Sequence, residues 1–404
     1  MRFKIVLLIL VLASLACSAN VTTVDSLPSP APDVAAPIVA DTPQPAVGSS
    51  LDSQPVIVPE AISDLHMLDT QNGWMITDAS ILRTQDGGST WHSVTPPGAH
   101  AFGSATGASF LDSNRGWILI SDASDPGNKG VLYHTTDGGI HWNSNTVPFG
   151  SGEIRFLDDL NAWMMLSGEV LTVKEPAEFF STPFQGVRFF QSSDGGVSWT
   201  QVYTNLPADS GTGDSLPYRG RKTGFTPINM QEAWVSGLTL DVNDFYLYHT
   251  LDGGHSWSRT EQPLPFTDER YQIYPPVFLD AQFGILPFYA GSEGGMLLFS
   301  FTEDGGKTWA TRAVSATSSY SVDSPDIVFA SFETEPWGLV SEDARQSWTM
   351  IHTDVDFDAG DTSLLQFQFV DAQTGWAVVR DDTNGHTSLY KTIDGGQTWA
   401  AQVE

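Results

Sequence analysis

The sequence has one cysteine, Cys17, so it can form neither an internal disulfide nor a thiolate metal cage. Positive charge is scarce: 18 lysines and arginines stand against 48 aspartates and glutamates, a formal net charge of −30. Such a surface repels phosphate backbones and excludes sequence-independent nucleic-acid binding. The charge is spread thinly along the chain, as suits solubility outside a cell. The nine histidines follow no ligand spacing such as H-x-x-x-H, so no metal site and no cofactor is expected. Charged residues make up only 16%, and no long charged helical face occurs. The apolar run near the start, Ile5 to Leu12, is too short to span a bilayer.

That run is better read as an address. Arg2 and Lys4 precede it, and Ala13-Ser14-Leu15-Ala16-Cys17 follows, the order of a secretory signal peptide over residues 1–16. It resembles a bacterial lipoprotein signal, in which the cysteine is lipidated and becomes the new N-terminus; Ser14 departs from that pattern, where leucine is usual. The expected location is extracytoplasmic, with the membrane reached only through a lipid on Cys17. Residues 17–60 are rich in Pro, Ala, Ser and Thr, with Pro28, Pro30, Pro32, Pro37, Pro43 and Pro45 among them. They lack the apolar periodicity of a core and read as an extended tether.

Glycine (37), proline (24) and tryptophan (13) are abundant, which suits an all-β chain with many tight turns. Most of them fall in a repeat over residues 61–404. Its first copy is Thr84-Gln85-Asp86-Gly87-Gly88-Ser89-Thr90-Trp91, and further copies centre on Asp137, Asp194, Asp252, Asp304 and Asp394. A worn copy around Asp343 keeps Ser341 and Trp348 but replaces the glycine pair with Ala344-Arg345. Successive aspartates lie 51, 57, 58, 52, 39 and 51 residues apart, about the length of four short strands with turns. A second motif, as in Phe110-Leu111-Asp112-x3-Gly116-Trp117, stands upstream of most copies; the two motifs hold every tryptophan except Trp337. The expected fold is a seven-bladed β-propeller of four-stranded antiparallel blades. In each unit the aspartate should accept hydrogen bonds from its own turn, the glycines should supply positive φ, and the tryptophan should cover the hairpin base. The seven aspartates therefore serve turns and are not catalytic. The ring could close with a last blade made of its own residues or with Pro55–Val58 added to it.

This pairing of motifs resembles the Asp-box (bacterial neuraminidase) repeat over residues 61 to 404. Families that carry it include sialidases, sortilin-type receptors, xyloglucan hydrolases and the photosystem II stability/assembly factors. The last group is the most similar, which implies a monomeric, non-catalytic scaffold that binds a protein or a glycan at the membrane surface. The alternative is a glycoside hydrolase of sialidase or xyloglucanase type. A sialidase needs an arginine cluster, a tyrosine nucleophile and an aspartate acid, yet no Arg-Ile-Pro signature stands near the first unit.

In a chain with 12 arginines and six lysines, two basic, aromatic stretches stand out. Tyr218, Arg219 and Arg221 precede the first strand of the fourth unit, and Arg270, Tyr271 and Tyr274 precede that of the fifth. Arg155 lies on the first strand of the third. Together they form a candidate ligand-binding patch; solvated loop residues are the other reading. The third unit also carries an insertion with Phe179, Phe180 and Phe184, expected to pack on its own blade rather than to offer an aromatic partner surface.

Overall fold

The computed structural model describes residues 61–403 apart from 100–104, 123–128, 169–170, 175–180, 208, 210–212, 239–244, 262–270, 292–295, 314–319, 323–327, 332–336, 342–348 and 358–359, and, further upstream, the backbone of 38–39 and 44–45. Cys17, Pro55–Val58 and Arg270 lie outside the described residues. Among those described there is no helix; strands form four-stranded antiparallel blades of a propeller.

Six blades follow one plan. The first is Ile62–Met67, Gly73–Thr77, Ile81–Thr84 and His92–Ser93; the second Ala105–Phe110, Gly116–Ser121, Gly130–Thr135 and Asn143–Val147; the third Glu153–Phe156, Ala162–Ser167, Val187–Ser192 and Ser198–Thr204. The fourth is Arg221–Pro227, Ala233–Leu238, Phe245–Thr250 and Ser258–Arg259. The fifth splits its first strand into Tyr271–Ile273 and Val277–Phe278, both paired with Gly284–Ala290, and adds Met296–Thr302 and Ala310–Ala313. The last is Thr362–Phe369, Gly375–Asp381, Thr387–Thr392 and Ala400–Val403, four strands drawn from its own residues.

The expectation of a seven-bladed propeller is corrected here: six blades carry the full hairpin. The remaining sheet, Tyr320–Val322, Val328–Ser331, Trp337–Ser341 and Thr349–His352, departs from the plan, and its worn copy at Asp343 lies outside the described residues. The reason is visible in the six intact hairpins. Both glycines of each take positive φ, from 71° to 78° at the first and from 84° to 90° at the second, a region that Ala344 and Arg345 resist.

Each intact hairpin is wired alike. Asp86 Oδ1 accepts from the Thr90 amide at 2.9 Å and from the Thr84 hydroxyl at 2.9 Å, while Oδ2 accepts from the Thr90 hydroxyl at 2.6 Å. Thr84 Oγ1 in turn accepts from the Gly88 amide at 2.9 Å. The same set recurs at Asp194, Asp252, Asp304 and Asp394; at Asp137 the His141 ring replaces the last hydroxyl. Every oxygen of these carboxylates is thus engaged inside its own turn. At Asp304 the Thr308 hydroxyl, followed by the Thr308 amide, holds the carboxyl down to about 2.

A blade lies between two neighbours, so both faces of its middle strands are covered. Gly73–Thr77 is buried throughout, and the strand from Gly116 to Ser121 nearly so, which is why these strands read as continuous apolar runs. Cores form between blades. Trp74, Ile76 and Val94 of the first meet Ile118 and Trp142 of the second; Trp163 and Phe189 of the third meet Phe225 and Val235 of the fourth. The divergent sheet joins in the same way, with Tyr320 and Val322 packed on the fifth blade and Val340 on the last. Tryptophan ring nitrogens bridge blades: Trp74 donates to Asp112 O at 3.2 Å and Trp163 to Asn229 O at 3.0 Å.

The first and last blades meet in the same manner. Ile62, Leu65, Met67 and Trp91 pack against Trp376, Val378 and Leu389. Two side-chain amides extend the sheet chemistry across the seam. Gln366 Oε1 accepts from Leu65 N at 2.9 Å while its Nε2 donates to Leu65 O; Gln368 does the same with Met67 at 2.9 and 2.8 Å. Replacing both glutamines with alanine leaves four backbone groups of the first strand without these partners. The loss should be roughly 2–4 kcal/mol in urea denaturation, with amide exchange rising first in Ile62–Met67. A double variant as stable as the parent would show that apolar packing alone holds the seam.

Candidate functional site

A concavity lies where the first strands of the third and fourth blades begin. It encloses about 280 Å³ and is lined by Ser151, Glu153, Met165, Gln185, Arg221 and Lys222, among others. Gln185, at the end of the third blade's insertion, forms part of its wall. Leu171–Lys174 and Ser181–Phe184 pair as an antiparallel hairpin, and Phe184 then bridges Gly220 in parallel. The Gln185 amide donates to Tyr218 O at 2.9 Å, and Lys222 N donates to Gln185 Oε1 at 2.8 Å. The end of the insertion is thus tied to the approach of the next blade, while Phe179 and Phe180 lie outside the described residues. Gly220 permits the close approach, since its φ is 85° and an added Cβ would fall 2.6 Å from Leu238 O.

Lys222 is the unusual group here. Only 5% of it is exposed, and no carboxylate pairs with it among the described residues. Its Nζ donates to Gln185 O at 2.7 Å and to Pro217 O at 2.6 Å and lies 5.8 Å from the Tyr246 ring centre. Burial pushes the amine down to about 7. Across the cavity, burial pushes the Glu153 carboxyl up, opposed by Arg155 and by the Phe225 amide. Arg155 donates to Glu153 Oε1 at 2.6 Å. Arg221 is exposed on the cavity wall and forms no ion pair among the described residues.

The other sequence-derived candidates fall in different places. Tyr218 is half-buried, its ring centre 5.9 Å from that of Phe184, and Arg219 is exposed beside it. Tyr271 is buried, packed 5.8 Å from Phe245 and 6.0 Å from Phe288, so it belongs to the core and not to an exposed patch. Tyr274 is half-buried, 5.9 Å from Tyr320, and its hydroxyl accepts from Gln272 Nε2 at 3.2 Å. Gly224 links the two loci, because a Cβ there would stand 2.5 Å from Pro275 and 3.4 Å from Glu153 Oε2. Asp64 and His66, on the first strand of the first blade, sense the charge of Arg155. Burial pushes Asp64 up against the pull of His66 and Arg155, and pushes His66 down. Among the described residues, no group of three or more His, Cys, Asp and Glu side chains is placed to hold a metal ion.

Glu153 and Gln185 were not singled out from sequence, and Lys222 figured only as the end of the basic stretch from Tyr218. A signal existed for Glu153, which shares a strand face with Arg155 two residues on. None existed for Lys222, which ends a basic run and reads as one more solvated cation.

No protein-family model matches the chain, and no curated protein matches it. Among solved structures it is similar to one described as YCF48 bound to D1 peptide, at 18% identity over 86% of this chain and 99% of that one, with a TM-score of 0.52. YCF48 from Cyanidioschyzon merolae aligns at 17% identity over 87% and 99%, with a TM-score of 0.50. A prolyl endopeptidase aligns at 9% identity over 86% and 49%, with a TM-score of 0.51. At these identities the likeness is one of fold.

The folded-state value of Lys222, about 7, lies below the ordinary 10.5. Between those limits the unfolded chain holds a proton that the folded chain lacks, so this group makes stability rise with pH from 7 to 9. Lys222→Met should flatten that rise in melting temperature, while Lys307→Met, at an exposed hairpin lysine, should not. An unchanged slope in Lys222→Met would assign the effect elsewhere.

Proposed function

We propose that this protein is a non-catalytic binding and assembly scaffold that holds a segment of a partner protein where the third and fourth blades meet. The observation that carries the reading is Arg221: an exposed cation with no ion pair among the described residues, held on a rigid first strand beside the half-buried Tyr218. Arginine and tyrosine in such a setting are typical binding anchors. The likeness to a propeller solved with a bound peptide supports a protein ligand over a glycan.

The wider reading has the chain exported by residues 1–16, lipidated at Cys17 and tethered by residues 17–60, so that a monomeric propeller over 61–404 works at the outer surface of a membrane. The ring is taken to hold seven Asp-box-derived blades, counting the divergent sheet, which packs against the fifth blade on one side and the last on the other. Arg155, Tyr218, Arg219, Arg221 and Tyr274 are the proposed contact residues, with Arg270 of the adjoining loop. A second reading, glycoside hydrolysis, draws on Asp64 and Glu153, two carboxyls pushed up by burial that share Arg155 as a charge partner.

The test is recovery of partners from solubilised membranes on the immobilised full chain, followed by affinity measurement with the recovered protein. Replacing Arg155, Arg219 and Arg221 together with alanine should weaken binding by a factor of ten or more. Unchanged affinity would remove the site. Turnover of fluorogenic sialyl or glucan substrates that disappears in Glu153→Gln would replace the scaffold reading with the hydrolase.

A further inference from the structure

We infer that the outer rim of the second and third blades is a docking strip for the chain's own N-terminal segment, which straps across it between Ile38 and Pro45. Ile38 and Val39 pair antiparallel with Trp199 and Ser198. Gln44 and Pro45 pair antiparallel with Ser144 and Asn143. In both cases the acceptor is the fourth strand of its blade, whose outer edge would otherwise present a row of unpaired backbone groups.

Three features make this a built arrangement. Both contacts fall at the same place in the repeat, on the first two residues of the fourth strand and within two residues of the hairpin tryptophans Trp142 and Trp199. The order is consistent: the chain meets the third blade at Ile38, the second at Gln44, and enters the first strand of the first blade at Ile62, so it runs back around the ring to its starting point. The spacing also fits. Four residues separate Val39 from Gln44, and the five steps between them reach roughly 17 Å when extended. That spans adjacent blades, whose sheets stack about 10 Å apart, and is too short to skip one.

The sequence limits the strength of the strap. Ile38 and Val39 are β-branched and favour extended backbone. Pro45 has no amide to donate, so pairing on the second blade cannot extend through it. Two contacts of two residues each make a reversible latch. If Cys17 is the membrane attachment, as proposed above, the latch changes the reach of the protein. From Cys17 to the first strap residue the chain spans at most roughly 75 Å, against roughly 160 Å from Cys17 to Ile62 when undocked.

The test uses the full chain with Cys17→Ser, which removes the only native thiol. Gln44→Cys with Ser144→Cys places two thiols directly opposite in the antiparallel register, within disulfide range. Mild oxidation should join most of that protein, read by mass spectrometry of the cross-linked peptide. The matched pair Gln44→Cys with Arg259→Cys, at the same position of the fourth blade, should stay largely reduced. Equal yields from the two pairs, or none from the first, overturn the proposal. As a second reading, Ile38→Pro with Val39→Pro in the full chain should raise amide exchange at least tenfold at the start of Ser198–Thr204 and leave Ala310–Ala313 unchanged; unaltered protection there also overturns it. Neither measurement involves the anchor or the partner, so failure of the strap leaves the binding site standing, and loss of the binding site leaves the strap.

Discussion

The structure depends on one constraint: a four-stranded sheet with two apolar faces cannot stand alone in water, so each blade needs a neighbour on both sides. Trp74, Trp117, Trp163, Trp234 and Trp376 all sit on second strands and are at most 1% exposed. Several donate their ring nitrogen into the adjoining blade, so packing and hydrogen bonding point the same way. The aspartate hairpins are subordinate to that constraint. They turn the chain tightly enough for the fourth strand to return beside the third, and their carboxylates are consumed in doing so.

The candidate site departs from this economy. The third blade inserts a hairpin whose end bridges Gly220, and close to it a lysine is buried on two backbone carbonyls with no counter-charge among the described residues. Burying a cation is costly unless its donors are satisfied, and Gln185 and Pro217 satisfy two of the three. The result is a rigid wall that fixes Arg221 at the edge of the cavity. Glu153 and Arg155 face the same region as a pair, leaving a mixed-charge surface within a strongly acidic protein.

Much of the fold was legible because its signals are local. Asp-Gly-Gly followed by tryptophan fixes a turn and a ring within eight residues, and the second motif fixes the register of the two strands before it. The failures arise where local signals end. The copy at Asp343 scored as a repeat on its serine and tryptophan, but without its glycine pair it could not count as a like blade. Tyr271 stood next to an arginine in a loop-like stretch, and only the packing of Phe245 and Phe288 shows that it belongs inside. Lys222 and Gln185 are 37 residues apart and meet through a hairpin that no periodicity announces. Of the residues grouped from sequence, Arg221 lines the cavity with Glu153, Tyr218 packs near Phe184, and Tyr274 belongs to a neighbouring pair with Tyr320.

The seam between the first and last blades has a kinetic consequence. Because the last blade is woven wholly from the C-terminal residues, the contacts that close the ring join positions about 300 apart in the chain. During synthesis, the face formed by Ile62, Leu65, Met67 and Trp91 has no mate until Trp376, Val378 and Leu389, about 300 residues later, have been made. Completion is thus a late, single event with a large loop to close, which makes slow maturation intrinsic to the topology. Until it happens, the nascent protein carries a sticky flank that a folding helper would have to shield.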